Sequence, residues 1–546
     1  MAATNDNTPL FRFRRDRQEI IDEVIERVTR GAIQRAWEDD AQGLEYLLNE
    51  AAYLEMSRMD DGQGSSTGLD YGFWKGLAHR LGRASEEENA EALQRIVTTY
   101  ASDIAGQFRP SVFRVATQVL PTGISFLFNR QSGSRLLRLP GEMQPLEAKL
   151  GIEGDLARLQ RLAEIGTLVV VPTHSSHMDS PLIGWALHAS GLPPVTYGAG
   201  KNLFTNPLTS FFMANLGAYK VDRRLKHNIY VQVLKQYSQV LLERGYHSLF
   251  FPGGGRSRSN EVESRLKLGL LGTSLEAWSR NVIRGRARPI FVVPVTINYN
   301  LVLESETLIG DHLRTDGKGR FIIEDDEFSD VRVVAHYVRS TLEMDATVRI
   351  RFCPPLDLFG NEVDDRGRTI DQRGRVVDVE RYIWVDGTPA SVRGRDQQYT
   401  RELGSRVADA FRRNTILFPL HVVSFALFEH MRRQHPGWDL YRTLRFCRGD
   451  TVRLVVVEGE TERLVRLLRE AEQRGELRLD ESVTRHAAPT LVEEALRYWN
   501  SYHPTPVAVR EAERIRITQP NLLYYYGGRV RGYDMERLLG QAAGGA

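Results

Sequence analysis

The 546-residue chain holds two cysteines, Cys353 and Cys447, far apart in sequence. Two cannot build a disulfide framework or a cysteine-based zinc site, and their scarcity fits a reducing cytoplasm. Lysine is also thin: eight of the 72 basic residues, the rest being arginine. Net charge is only +2, so no global field drives the chain toward nucleic acid. No stretch reaches the roughly 18–20 apolar residues that a membrane span needs. The two most apolar stretches, 115–128 "VATQVLPTGISFLF" and 415–428 "TILFPLHVVSFALF", are shorter, and each contains a proline. They read as core helices or as interfacial patches. The start, "MAATNDNTPLFRFRRDRQ", lacks the apolar segment of a secretory signal. A G-x-S-x-G elbow, a Gly-Lys-Ser/Thr phosphate loop and an H-E-x-x-H pair are missing too. No serine or cysteine is placed as an obvious activated nucleophile.

What is present is an ordinary globular composition, 42% hydrophobic and 26% charged, in a chain long enough for two or three domains. Residues 16–105 carry apolar positions at helical spacing, so 1–144 is expected to be a helical region. From 145 the texture changes. Short β-branched runs at 167–173, 194–198, 218–221, 247–252, 290–298 and 347–353 alternate with helical stretches. That alternation predicts an α/β domain over 145–360, with a central, mostly parallel sheet and flanking helices. Residues 361–397 are polar, repeat a D-x-x-G-R pattern, and are expected to form a surface insert. Residues 398–546 are expected to be mainly helical, with "VRLVVVEG" a possible strand.

Ligands of parallel sheets bind beyond the carboxyl ends of the strands. Two such ends carry chemistry. The run "TLVVVPTHSSHMDS" delivers His174, His177 and Asp179 just past an apolar strand. Histidine supplies a base near neutral pH, and a carboxylate on its other ring nitrogen fixes the tautomer. A spacing of five is wrong for one helix face, so His174 and Asp179 can meet only across a turn, with a helix starting near Asp179. The bland alternative makes Asp179 a helix cap and the histidines loop residues. A metal bound by His174, His177 and Asp179 is a further alternative. The second end is "FFPGGGRSRSN": Gly253, Gly254 and Gly255 allow main-chain N–H groups to approach an anion, and Arg256 and Arg258 add charge-assisted bonds. A His–Asp pair without its own nucleophile suggests that the nucleophile arrives with the substrate.

These blocks resemble the glycerol-phosphate acyltransferase superfamily. "PTHSSHMDS" resembles its H-x-x-x-x-D block, in the form of the glycerol-3-phosphate and dihydroxyacetone-phosphate branch. "GAGKNLF…FFMANLGAYKVDRR", "FFPGGGRSRS" and "FVVPVTINYN" resemble the second, third and fourth blocks, in family order over about 170–300. Looser likeness runs through "LKLGLL", "LGSRVADAFRRNTILFPLHVVSFAL" and "NLLYYYGGRVRGY".

The resemblance implies His174 as general base and Asp179 as its orienting acid. It implies an acceptor-phosphate grip by Arg223, Gly254, Gly255, Arg256, Ser257, Arg258 and Lys267, with Asn298 to Asn300 on the acyl side. It implies an O-acyltransferase moving a fatty acyl group from acyl-CoA or acyl carrier protein, as co-substrate, to the hydroxyl of glycerol 3-phosphate. Dihydroxyacetone phosphate or lysophosphatidic acid would be alternative acceptors. No cofactor or metal is expected. The amphiphilic donor and product imply a peripheral membrane partner at the cytoplasmic face, through 111–130 and 415–432. One departure stands out: Gly253 occupies the place of a glutamate that normally precedes the glycine pair. Glu261 or Glu263 is a substitute the sequence does not single out. The departure leaves a second reading, a catalytically weak relative that binds phospholipid.

Overall fold

Every residue of the strand Thr167–Pro172 is buried. Leu168 and Val170 face one apolar cluster, Val169 and Val171 the other. A strand covered on both faces needs apolar residues throughout, so its sequence reads as a continuous run. The computed structural model describes residues 8–38, 43–62, 68–117, 150–204, 207–286, 288–316, 348–371 and 373–543.

In it, seven strands form one sheet: β1 (Leu150–Glu153), β2 (Thr167–Pro172), β3 (Thr196–Gly200), β4 (Ala218–Val221), β5 (Ser248–Leu249), β6 (Ile290–Tyr299) and β7 (Val348–Phe352). Their order is β1-β7-β6-β2-β5-β3-β4. From β6 to β4 all neighbours are parallel, while β7 runs antiparallel to β6 and carries β1 beside it. The expected mostly parallel sheet is therefore present, with a reversed edge pair. Because β2 lies between β6 and β5, the segments that follow these three strands emerge side by side.

Four helices open the described chain: α1 (Pro9–Glu38), α2 (Leu44–Asp60), α3 (Tyr71–Arg80) and α4 (Glu86–Ile104). Ser85 and Glu88 start α4 with a reciprocal capping box. Six more helices accompany the sheet: α5 (Leu156–Ile165), α6 (Asp179–Ala189), α7 (Pro207–Asn215), α8 (Asn228–Glu243), α9 (Leu268–Ile283) and α10 (Ser305–Asp316). The N-terminal helices share a core with α8 and β4, in which Ile20, Val24, Trp74 and Tyr100 meet Tyr219, Val233 and Tyr237. Asp103 of α4 accepts from Lys201 at 2.7 Å and from Lys220 at 3.1 Å, which ties this region to the loop after β3 and to β4.

Eight helices follow: α11 (Arg393–Asn414), α12 (Pro419–Gln434), α13 (Leu440–Phe446), α14 (Leu454–Gln473), α15 (Glu481–Arg485), α16 (Ala488–Ser501), α17 (Pro520–Gly527) and α18 (Met535–Ala543). Two sequence expectations change here. The stretch "VRLVVVEG" is strand only over Thr451–Arg453, after which α14 begins. Its buried Leu454, Val457, Thr461, Leu464, Val465 and Leu468 follow a helical period that outweighs the local valine run.

The 415–432 stretch is not an interfacial patch. Leu420, Val422, Val423, Phe425, Ala426 and Leu427 are each at most 1% exposed, so α12 is a core helix. Its proline opens the first turn, where the missing N–H costs nothing. Of the other stretch, residues from 118 onward lie outside the described residues. Among the described residues no helix is long and apolar enough to cross a membrane.

The 361–397 insert contains two short antiparallel pairs. Its repeat has a local cause: Asp364 accepts from the amides of Arg366 and Arg368, and Asp371 does the same for Arg373 and Arg375. The insert is not wholly peripheral, because Val363 and Ile383 are buried.

Candidate active site

Beyond Pro172 the chain leaves the sheet through Thr173, whose N–H donates to Val295 O at 2.9 Å on β6. The next five residues, 174–178, turn the chain into α6. Asp179, the first residue of that helix, folds back across the turn. Its Oδ2 lies 2.8 Å from His174 Nδ1 and accepts from the amides of Ser175 at 2.7 Å and Ser176 at 2.9 Å. Its Oδ1 accepts from the Tyr299 hydroxyl at 2.5 Å, from the end of β6. Asp179 is fully buried. It is therefore more than a helix cap: four donors hold its carboxylate and aim it at an imidazole.

With Asp179 accepting at Nδ1–H, a neutral His174 carries its lone pair on Nε2. Burial pushes the His174 pKa below its ordinary value of 6.5, against the opposing pull of Asp179. The ring stacks on Phe251, centroids 4.2 Å apart. Phe251 comes from the end of β5, the strand on the other side of β2.

The glycine turn that follows Phe251 is bonded to the same place. Ser257 N–H donates to His174 O at 2.8 Å, and Lys267 N–H donates to Pro252 O at 2.7 Å. Gly254 has φ 72°, a left-handed conformation that suits glycine, and the Lys267 side chain lies over it. The face of Gly255 is open. Arg256 reaches Glu304 at 3.5 Å. Arg223, just past β4, is exposed and has no ion-pair partner among the described residues. Packing around its guanidinium and the nearby charge of Arg256 both pull its pKa down. Arg258 is exposed on the rim.

The structure thus gathers His174, Asp179, Gly254, Gly255, Arg256, Ser257 and Lys267 at the carboxyl ends of adjacent strands, with Arg223 electrostatically within reach of Arg256. Asn298 does not belong to this group. Its Nδ2 donates to Thr296 Oγ1 at 3.0 Å and Arg349 O at 3.2 Å, and its Oδ1 accepts from Ile416 N at 3.0 Å, so it is a buried strap between β6, β7 and the segment before α12. Tyr299, next to it, is the residue of that block that touches the dyad.

Three more side chains meet the base-bearing turn, and two of them, Glu304 and Arg529, escaped sequence reasoning. Glu304, fully buried, accepts from Ser176 Oγ at 2.8 Å and His177 N at 2.9 Å, and so binds the base-bearing turn to Arg256. Arg529 arrives from the C-terminal region and donates to Ser175 Oγ at 2.9 Å. Glu263 accepts from His174 N at 2.7 Å. The last is one of the two glutamates, Glu261 and Glu263, that the sequence offered as substitutes for the missing carboxylate at position 253.

Residues 156–298 match the family model described as Acyltransferase. This segment is an acyltransferase-family domain. A glycerol-3-phosphate acyltransferase of Pseudomonas aeruginosa is 31% identical over 229 residues, 42% of this chain and 24% of that protein. The protein of the same name from Pseudomonas fluorescens is 26% identical over 357 residues, 65% of this chain and 36% of that protein. The chain therefore matches about a quarter to a third of the length of these curated relatives. A solved structure, the 1-acyl-sn-glycerophosphate (LPA) acyltransferase from Thermotoga maritima, aligns over 67% of this chain and 94% of that one, at 14% identity and a TM-score of 0.25. The dyad and the glycine–arginine turn both fall inside the acyltransferase segment. Arg529 and Glu304 lie outside it.

Proposed function

We propose that this chain transfers a fatty acyl group from an acyl thioester, carried by CoA or acyl carrier protein, to the hydroxyl of glycerol 3-phosphate or a closely similar phosphorylated acceptor. The observation that carries the reading is the His174–Asp179 pair at 2.8 Å, bonded through its own main chain to an arginine-bearing glycine turn. Such a pair makes a base, and such a turn makes an anion site.

In this mechanism the acceptor hydroxyl donates its proton to His174 Nε2 while its oxygen attacks the thioester carbon. Asp179 stabilises the imidazolium that forms. The tetrahedral intermediate collapses with cleavage of the C–S bond, and the proton held by His174 passes to the departing thiolate. No acyl-enzyme is required, in keeping with the lack of a placed serine or cysteine nucleophile. Arg256 and Arg223, with the turn amides, hold the acceptor phosphate. Dihydroxyacetone phosphate and lysophosphatidic acid share that phosphate and are the alternative acceptors. The acyl product is amphiphilic, so the acyltransferase is expected to work at a membrane surface, touched peripherally.

The test is a mass-spectrometric product assay with long-chain acyl-CoA and a panel of phosphorylated and unphosphorylated acceptors. An acylated phosphate ester formed by wild type and lost in His174→Ala supports the reading. Thioester loss independent of acceptor makes the protein a hydrolase, and no turnover with any acceptor or donor ends the enzymatic reading.

A further inference from the structure

Gly253 is glycine for a reason its backbone does not supply. Its φ lies outside the left-handed region, so any residue could adopt its conformation. What a side chain there would have to displace is the carboxyl group of Glu263. A Cβ built on Gly253 would stand 2.4 Å from Glu263 Oε2 and 2.6 Å from its Cδ. The carboxyl group of a residue ten positions later thus occupies the space into which a residue-253 side chain would grow. From there it accepts the main-chain N–H of His174 at 2.7 Å.

We propose that Glu263 is the positioning residue of the His174–Asp179 dyad, its carboxyl group fixing the main chain of the base-bearing turn from the space that the absent side chain of Gly253 leaves open. The role rests on the acyl-transfer reading for its kinetic consequence, but the geometry stands independently of it. Three further features fit. Glu263 Oε2 is sealed from solvent. Burial, helped by the charge of Asp179, opposes ionisation, while the His174 and Gly253 amides and Arg529 favour it; burial wins and pushes the Glu263 pKa up to about 8. A neutral carboxyl group beside the dyad can hold the turn without competing with Asp179 for the imidazolium. Lastly, the segment between the two residues is closed by Ser257 Oγ, which donates to Glu261 O at 2.8 Å, so the chain doubles back to the glycine turn.

The experiment relocates the carboxyl group. Four full-length proteins are compared with wild type: Glu263→Gln, Glu263→Gly, Gly253→Ala, and the exchange Gly253→Glu with Glu263→Gly. Each is checked for folding by circular dichroism and thermal melting. Gly253→Ala should melt below wild type, and adding Glu263→Gly should relieve that loss. Glu263→Gly should lower kcat by on the order of tenfold to a hundredfold, with little change in either KM, as expected of a misplaced base. The exchange should recover a substantial part of that loss. The His174 imidazole is titrated by NMR in wild type and Glu263→Gln, and its pKa should move. A folded Glu263→Gly protein within twofold of wild-type kcat, or a folded exchange variant no better than Glu263→Gly, overturns the role. If wild type transfers no acyl group at all, the acyl-transfer reading falls, and an unchanged His174 titration with additive melting shifts then overturns the positioning role as well.

Discussion

The guanidinium of Arg529 donates to Ser175 Oγ at 2.9 Å, across 354 residues of chain. Arg529 is 2% exposed, and its Nε has no hydrogen-bond partner among the described residues. An arginine buried in this way is costly unless surrounding charge and dipoles compensate it. Burial lowers its pKa, and the carboxylate of Asp179 is among the groups that oppose the shift. The approach is enforced one residue earlier: a Cβ on Gly528 would sit 1.9 Å from Ser259 O, so only glycine lets this segment press against the arginine turn. The C-terminal region therefore closes the back of the site, although it lies outside the acyltransferase segment.

Replacing Arg529 should accordingly weaken the reaction without dismantling the sheet. Arg529→Lys keeps the charge but not the fork, and should lower kcat/KM by roughly tenfold, while Arg529→Met should lower it further. Steady-state kinetics on proteins of native circular dichroism decide the matter. Unchanged kinetics in Arg529→Met would make the residue a packing element only.

The four donors on Asp179 separate orientation from charge. Asp179→Asn keeps the shape but offers an amide to His174 Nδ1, which favours the wrong tautomer; a loss of roughly a hundredfold or more in kcat is expected. Tyr299→Phe removes one donor of four, worth about 1 kcal/mol, so a loss near tenfold or less is expected. Kinetics of both variants give the order. A larger effect for Tyr299→Phe than for Asp179→Asn would contradict the assignment of Asp179 as the partner of the base.

The sheet and the dyad were legible for the same reason. A strand buried on both faces writes itself as an unbroken apolar run, and the polar residues placed at its end then stand out, as His174 and Asp179 do after "TLVVV". Helical and strand signals conflict in "VRLVVVEG", where a β-branched run is folded into a helix by the burial of positions four apart. Glu304 and Arg529 were hidden because nothing local marks them, and Tyr299 fell in a block read as lining the acyl side rather than as holding Asp179. Each becomes a site residue through strand order or through the docking of a distant helix, and strand order is not a property of any single window. Gly253 was visible as a departure. Its partner was narrowed only to Glu261 or Glu263, because the compensation is a contact in space.

The pH profile of the reaction follows from His174. Burial lowers its pKa, so the neutral base persists below the ordinary histidine value of 6.5. Protonation at lower pH removes the base, and kcat/KM should fall on the acid side with an apparent pKa below 6.5. A profile measured from pH 4.5 to 9 checks this. An acid limb above pH 7 would indicate that a different group limits the reaction.

Arg256 is predicted to serve the acceptor rather than the donor. Arg256→Lys retains a charge opposite Glu304 yet loses planar bidentate contact with phosphate. The KM for the phosphorylated acceptor should rise by roughly tenfold while that for the acyl thioester stays within about twofold. Varying each substrate in turn measures both. Equal increases would place Arg256 on shared architecture instead of the phosphate.

Glu263 makes stability depend on pH in a direction opposite to that of an ordinary surface carboxylate. Its pKa is pushed up to about 8 in the folded chain, above the ordinary carboxyl value of 4.5. A group whose folded pKa is raised gives stability that is complete below the unfolded pKa and is lost as pH rises through the folded one. Folding stability should therefore decline between about pH 4.5 and 8 through this residue, and level off once both states are ionised. Glu263→Gln cannot ionise and should abolish that share of the decline, so its disadvantage relative to wild type should shrink, or reverse, toward alkaline pH. Urea denaturation of the two proteins at pH 5, 7 and 9 gives the comparison. A stability difference that stays constant across the three pH values would mean that the Glu263 carboxyl group ionises as readily in the folded chain as in the unfolded one.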